Sequence, residues 1–310
     1  MIIDKKKKGN VIIYTVGKDI DDDKMSRFLD KRLKPDQIKN IIDEDADVYT
    51  VDGKLLLRFR KNKLNKQNIR VFYENIIDFA ETLTNNRSSA IGSKTKNIQD
   101  NPRIMTNIFG FFDKLAPKQK FILKKQGKTL KTNVRECKFN MDNPEKYKNV
   151  LPFIKQIDDY YRQYIPHNYK LQRKKAEQTP FKIAGTSFTT VTTNVNFQTA
   201  VHTDKGDDPE GFGNLTVIEH GNYQGGETCF PQYGIGVNVR TGDLLFMNVH
   251  QAHGNLPLKL ETNDAKRLSV VCYLRKNIWE KTKGKTKKFM ITHNNIIKNV
   301  RKTIKVKHLK

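Results

Sequence analysis

Hydrophobic positions along this chain fall into two textures. From Ile183 onward, short apolar runs alternate with glycine-bearing turns, over residues 187–197, 213–219, 227–230, 236–239, 243–247 and 268–274. Runs of that length and spacing predict the strands of a sandwich or barrel, and a jelly roll is the member of that class whose mouth commonly holds a metal. Just upstream the period becomes helical. Asp142-Asn143-Pro144 supplies a cap and a first-turn proline for a helix running to Ile165, before Pro166. Tyr147, Leu151, Ile154, Ile157 or Tyr161, and Tyr164 share one face, a stripe that suits packing on the back of a sheet. Pro152 interrupts it and predicts two helices meeting at a kink.

The first 85 residues mix strand and helix signals. Asp52-Gly53, between Val48-Tyr49-Thr50-Val51 and Leu55-Leu56-Leu57, predicts a hairpin with a two-residue turn. Ile76, Ile77, Phe79, Ala80 and Leu83 predict a helix over 74–83. Residues 85–101, rich in Asn, Ser, Gly and Lys, read as a long polar surface loop, with Arg87-Ser88-Ser89 either lining a groove or simply solvated. In the last segment Ile296, Val300 and Ile304 share a helical side, while Lys298, Arg301, Lys302 and Lys305 surround it. Such a helix either holds phosphates or lies on its own domain. The expected fold class is α+β with a mainly β core, a jelly roll with a helical buttress and an N-terminal elaboration. The expected organisation is a lysine-rich elaboration over 1–140, a helix plus the double-stranded β-helix over 141–280, and a basic tail over 281–310.

Composition adds a partner class. A chain of 310 residues buries one substantial core or at most two. Its 58 Lys plus Arg against 33 Asp plus Glu give a formal charge of +25, enough to concentrate polyanions at the surface, so nucleic acid leads. The alternative is a general abundance of lysine in the source's proteins. Cys137, Cys229 and Cys272 are too few and too scattered for a disulfide framework or a CxxC-type zinc site, which fits a reducing compartment. No stretch approaches the roughly twenty apolar residues of a membrane span, and the amino terminus lacks a signal peptide's apolar core. A soluble intracellular protein is expected, with no membrane partner, acting in the nucleus or another nucleic-acid-containing compartment, of a host cell if the source is viral.

The chemistry concentrates in an ordered set. His202-Thr203-Asp204 places two donors on the same side of an extended strand. His253 follows in Ala252-His253-Gly254-Asn255-Leu256-Pro257, and then Arg267-Leu268-Ser269. Two imidazoles and one carboxylate can occupy one face of an octahedral ferrous ion, leaving positions open for a cosubstrate and oxygen. Arg267 and Ser269 share a strand face, and a guanidinium beside a hydroxyl suits a carboxylate such as the distal one of 2-oxoglutarate. Singly, His253 reads better as a loop histidine and Arg267 as a surface strand residue; the four in order make the case. Asp207, in a Gly-Asp-Asp-Pro loop, is a candidate substrate contact or a turn residue. His250 and Asn214 are further candidate substrate contacts.

The stretch from Phe188 through His202-Thr203-Asp204-Lys205-Gly206-Asp207 to Gly211-Phe212-Gly213-Asn214-Leu215, with Tyr223-Gln224-Gly225-Gly226-Glu227-Thr228-Cys229-Phe230-Pro231 and His250-Gln251-Ala252-His253-Gly254-Asn255, resembles the TET/JBP family of iron(II)/2-oxoglutarate-dependent oxygenases. The resemblance covers roughly residues 185–275. It implies a double-stranded β-helix with Fe(II) held by His202, Asp204 and His253, and 2-oxoglutarate bound through Arg267 with Ser269 as its partner. The family position favours His253 over His250 as the ligand. The resemblance also implies oxidation of the methyl group of 5-methylcytosine or thymine in DNA, using molecular oxygen. Because an algal relative uses vitamin C, ascorbate stands beside 2-oxoglutarate as an alternative cosubstrate or reductant. The cysteine-rich zinc region of animal TET enzymes has no counterpart here, nor does the modified-base-binding domain of JBP proteins. The same chemistry on RNA or protein, and a non-catalytic nucleic-acid-binding jelly roll, are the competing readings.

Overall fold

The computed structural model describes residues 1–84 and 102–306; the polar loop expected over 85–101, with Arg87-Ser88-Ser89, lies outside them. Ten strands form one large sheet. From edge to edge they run Ile2–Lys8, Val11–Val16, Ala46–Thr50, Leu55–Arg60, Leu244–Met247, Gly213–His220, Lys266–Tyr273, Thr190–Val195, Thr106–Phe112 and Arg135–Glu136. A second sheet orders Gly254–Asn255, Thr228–Phe230, Ile235–Val237 and Asn40–Ile42. The two lie face to face. Leu215, Val217, Leu245 and Met247 of the large sheet meet Phe230, Ile235 and Val237 of the small one in a single core cluster.

Period-two alternation sends the other residues of the same strands to the helices. Ile218, Leu244, Phe246, Leu268, Val270 and Cys272 pack in one cluster with Phe72, Phe153, Ile154, Ile157 and Tyr161. The aromatic stripe therefore does cover the back of the sheet. Its helix, Pro144–Tyr164, continues through Pro152 rather than dividing there. Pro152 is exposed, so the helix loses one backbone hydrogen bond on its outer side rather than in the core. The neighbouring helix Lys66–Ala80 starts earlier than the apolar pattern suggested. Asn65 caps it, its side-chain oxygen accepting from the backbone N–H of Gln67 and Asn68.

The turn expected at Asp52-Gly53 is corrected, and the apolar face of the last helix gains a residue. The hairpin between Ala46–Thr50 and Leu55–Arg60 closes through three residues, not two: the Thr50 N–H donates to the Lys54 carbonyl at 2.9 Å and the Gly53 N–H to the Thr50 carbonyl at 2.8 Å. Gly53 at φ 77° supplies the left-handed residue that a three-residue loop requires. In the last helix, Lys287–Val306, Ile297 is buried with Val300, while Ile296 is only partly covered. The boundary at residue 140 does not separate two sheets, because six of the ten large-sheet strands precede it. Asn40–Ile42 also joins the small sheet, in parallel with Ile235–Val237.

Candidate active site

The mouth between the sheets holds one donor cluster. Among the described residues, His202, Asp204 and His253 form the single group of three or more potential metal ligands, their ligand atoms all within 4.8 Å of one another. The backbone sets this. His202 and His253 face each other across an antiparallel bridge, each N–H donating to the other's carbonyl at 2.9 Å. Asp204 is tied by its N–H to the Val249 carbonyl at 2.9 Å. Its two carboxylate oxygens lie 3.6 Å from His202 Nε2 and 3.7 Å from His253 Nε2.

Both rings have their tautomer fixed from behind. His202 Nδ1 lies 2.7 Å from the Ala200 carbonyl, and His253 Nδ1 lies 2.9 Å from the Gln251 carbonyl. A carbonyl only accepts, so each Nδ1 carries the proton and each Nε2 turns a lone pair toward Asp204, the usual backing of metal-bound histidines. Burial, with His202 beside it, pushes His253 down to about 4, so its ring is neutral at physiological pH and available as a ligand. Two imidazoles and a carboxylate, with open space in front, fit Fe(II).

The cavity in front of the cluster is lined by Arg267, Ser269, Val271 and Tyr273, alternate residues of one strand. Arg267 is 5% exposed, and burial lowers its pKa. Its guanidinium makes no ion pair within 4 Å and no hydrogen bond among the described residues. A desolvated cation in that state calls for an anion from outside. Gly226, at φ 79°, makes room for it, since a Cβ there would lie 2.8 Å from Arg267 Cδ and Nε. Ser269 Oγ accepts from Asn194 Nδ2 at 3.2 Å.

The remaining sequence candidates divide. Asp207 lines the cavity and is bridged by backbone to Arg275. Asn214 and His250 do not line it. Asn214 is turned to the helix side by alternation with Leu215, its Nδ2 donating to the Phe212 carbonyl at 2.8 Å. His250 Nε2 is engaged 3.1 Å from the Asp208 carbonyl, so it donates there. Sequence reasoning missed Tyr273 and Arg275, although stepping by two from Arg267 and Ser269 reaches both. It also missed Asn194 and Thr106, paired in register with Ser269 and with each other across three strands, where no local signal exists. Asp113 was missed too. Its buried carboxylate accepts from Arg275 Nε at 3.1 Å and Asn277 Nδ2 at 2.9 Å, holding Arg275 in the cavity wall.

A face-to-face pair of sheets with a His-Asp-His cluster at its mouth, His253 buried and His202 and Asp204 half-buried, defines the class: a double-stranded β-helix with a candidate metal centre. Residues 123–276 match the family model Tet_JBP, the oxygenase domain of the 2OGFeDO superfamily, whose members use Fe(II) and 2-oxoglutarate, so this segment belongs to the TET/JBP family. The bifunctional helicase and thymine dioxygenase JBP2 of Leishmania braziliensis is 36% identical over 141 residues, 46% of this chain and 13% of that protein. Its namesake from Trypanosoma cruzi (strain CL Brener) is 34% identical over 207 residues, 65% of this chain and 17% of that protein. The chain thus spans less than a fifth of the length of these relatives. The solved structure of NgTET1 in complex with 5mC DNA shares the fold, with a TM-score of 0.51 at 15% identity, covering 83% of this chain and 90% of that one.

Proposed function

We propose that this chain is an Fe(II)/2-oxoglutarate-dependent dioxygenase that oxidises the 5-methyl group of a pyrimidine in DNA. The observation that carries the reading is the buried, unpaired Arg267 in the same cavity as the His202, Asp204 and His253 cluster. His202, Asp204 and His253 hold the iron. Arg267 and Ser269 receive the distal carboxylate of 2-oxoglutarate, a group that ascorbate does not offer, so the dicarboxylate is the preferred cosubstrate. When bound, iron and 2-oxoglutarate supply the oxidising power: one atom of O₂ goes to the methyl C–H to give the alcohol, the other to succinate, with loss of CO₂.

The chain's own part is positioning and exclusion. Hydrogen bonds from the two Nδ1–H groups to the Ala200 and Gln251 carbonyls keep both Nε2 lone pairs aimed at one point. Asp207, Tyr273 and Arg275 form the wall beyond the metal ligands and offer charged and aromatic contacts to a base. A methyl group inside a duplex cannot reach this depth, so the nucleotide is flipped out or already unpaired. Thymine leads over 5-methylcytosine because the relatives described above carry the name thymine dioxygenase. Such an enzyme works where DNA is kept, and among the described residues no helix is long and apolar enough to cross a membrane.

The test is nucleoside mass spectrometry after incubation with unmodified DNA, methylated DNA or RNA, with Fe(II) and either 2-oxoglutarate or ascorbate. Hydroxymethylated pyrimidine should appear in DNA with 2-oxoglutarate. It should vanish with Asp204→Ala, whose circular dichroism and DNA affinity stay near wild type. Full turnover by Asp204→Ala would refute the metal assignment, and oxidation confined to RNA would refute the substrate.

A further inference from the structure

The positive charge is not spread evenly. Residues 114–135 contain eight Lys or Arg and no Asp or Glu, and residues 281–306 contain nine and none. These two acid-free segments therefore carry 17 positive charges, against a net +25 for the whole chain. A general abundance of lysine would have spread the excess. The fold then joins the segments. Helix Pro117–Lys125 packs on helix Lys287–Val306 through Leu115, Ile122, Leu123, Ile297 and Val300. His293 Nε2 donates to the Val134 carbonyl at 2.6 Å, and Arg301 pairs with Asp142 at 2.8 Å.

With the apolar faces turned to each other, the lysines turn out. Lys124, Lys125, Lys128, Lys288 and Lys302 are exposed, and none has an ion pair among the described residues. The module is attached beside the cavity. Lys114 directly follows Asp113, the carboxylate that holds Arg275, and helix Lys276–Thr282 leads from Arg275 into the second basic segment. A polymer with one unit inserted at the cavity would bring its neighbouring charges here.

We infer that this paired-helix module is a phosphate-backbone clamp for duplex DNA, holding the strand next to the nucleotide that enters the cavity. The inference rests on the reading of the chain as a DNA oxygenase. Charge complementarity selects the partner: the exposed Lys124, Lys125, Lys288 and Lys302 of the two helices match a duplex, which presents a phosphate every 1.7 Å or so along its axis.

The experiment compares the full chain with the quadruple variant Lys124→Gln, Lys125→Gln, Lys288→Gln, Lys302→Gln, all four sites being exposed and helical. Fluorescence anisotropy with a labelled 20-base-pair duplex, from low to moderate salt, gives Kd and its log–log salt slope. The variant's slope should be shallower by about 3 to 4, at roughly 0.9 per lost phosphate contact, and its Kd at low salt at least about tenfold weaker. DNA-independent succinate formation from 2-oxoglutarate and turnover at saturating DNA should match wild type, with only the KM for DNA raised. Wild-type slope and affinity in the variant would overturn the clamp while leaving the oxygenase reading intact. A wild-type chain that neither binds nor oxidises DNA would sink both. If instead the wild type bound vesicles of 30% anionic lipid in preference to duplex, and the variant lost that binding, the module would be a membrane surface and the clamp would be refuted.

Discussion

Replacing Arg267 with methionine should make the ligand-free protein more stable and the enzyme worse. Arg267 is 5% exposed, and the burial that lowers its pKa is only partly offset by Tyr223, Glu227 and Glu219. Methionine fills a similar length with no charge to desolvate. Replacing buried ionic groups with hydrophobes stabilises by about 1–4 kcal/mol; with the partial offset, about 1–2 kcal/mol is expected, or a rise in Tm of roughly 2–4 °C for a chain of this size. The functional term has the opposite sign. Losing a charge-assisted contact to the distal carboxylate costs about 1.5–3 kcal/mol, which is a 2-oxoglutarate Kd weaker by about 10- to 150-fold. Thermal unfolding followed across a 2-oxoglutarate titration, with Mn(II) in place of Fe(II) so that no turnover occurs, reads both. A methionine variant with lower Tm and unchanged 2-oxoglutarate affinity would refute the argument, since Arg267 would then have a structural partner and no role as receptor.

Two further outcomes follow from the cavity walls. Gly226→Ala puts a Cβ 2.8 Å from Arg267 Cδ and Nε on a left-handed backbone. It should destabilise by about 1–2 kcal/mol from conformation alone and weaken 2-oxoglutarate binding by displacing the guanidinium, both measurable by urea unfolding and calorimetry. Asp113 gives a pH signature. Burial alone would raise its pKa, but Arg275 and Asn277 outweigh that and hold it below the usual carboxylate range. A depressed folded pKa contributes stability that is complete above the unfolded value, near 3.9, and is lost as pH falls through the folded value. Asp113→Asn should therefore be more destabilising at pH 7 than at pH 3, where part of the charge-linked stability is already lost. An equal loss at both pH values would show that its charge contributes nothing.

The site was more legible than the scaffold around it. That His202, Asp204, His253, Arg267 and Ser269 would meet in one cavity was readable because His202 and Asp204, like Arg267 and Ser269, stand two residues apart, and because few residue types bind iron or carboxylate. The strands after Ile183 were readable for a similar reason, each being a short apolar run between turns. The edge strand Ile2–Lys8 was not, since five of its residues are charged. An edge strand with four consecutive lysines forms because Val11–Val16 supplies the ladder, while its charges guard against further pairing. Asn214 was misjudged because a motif position says nothing about strand face, and a shift of one residue sends a side chain to the opposite side.

What local sequence could not reveal is the row of polar residues across the sheet. Ser269 pairs with Asn194, and Asn194 with Thr106, so a hydroxyl, an amide and a second hydroxyl from three distant segments align at one level of the cavity. Among the described residues the Ser269–Asn194 contact is closed, whereas the Thr106 hydroxyl is buried without a hydrogen-bond partner. An unsatisfied buried hydroxyl is unfavourable by about 1–3 kcal/mol, and it sits on the same wall as an unpaired guanidinium. The segment carrying Thr106 enters the sheet before any residue of the metal cluster, so the N-terminal strands do more than buttress the oxygenase core. The strand carrying Thr106 completes one wall of the cavity, and its hydroxyl makes that wall polar beside Asn194 and Ser269.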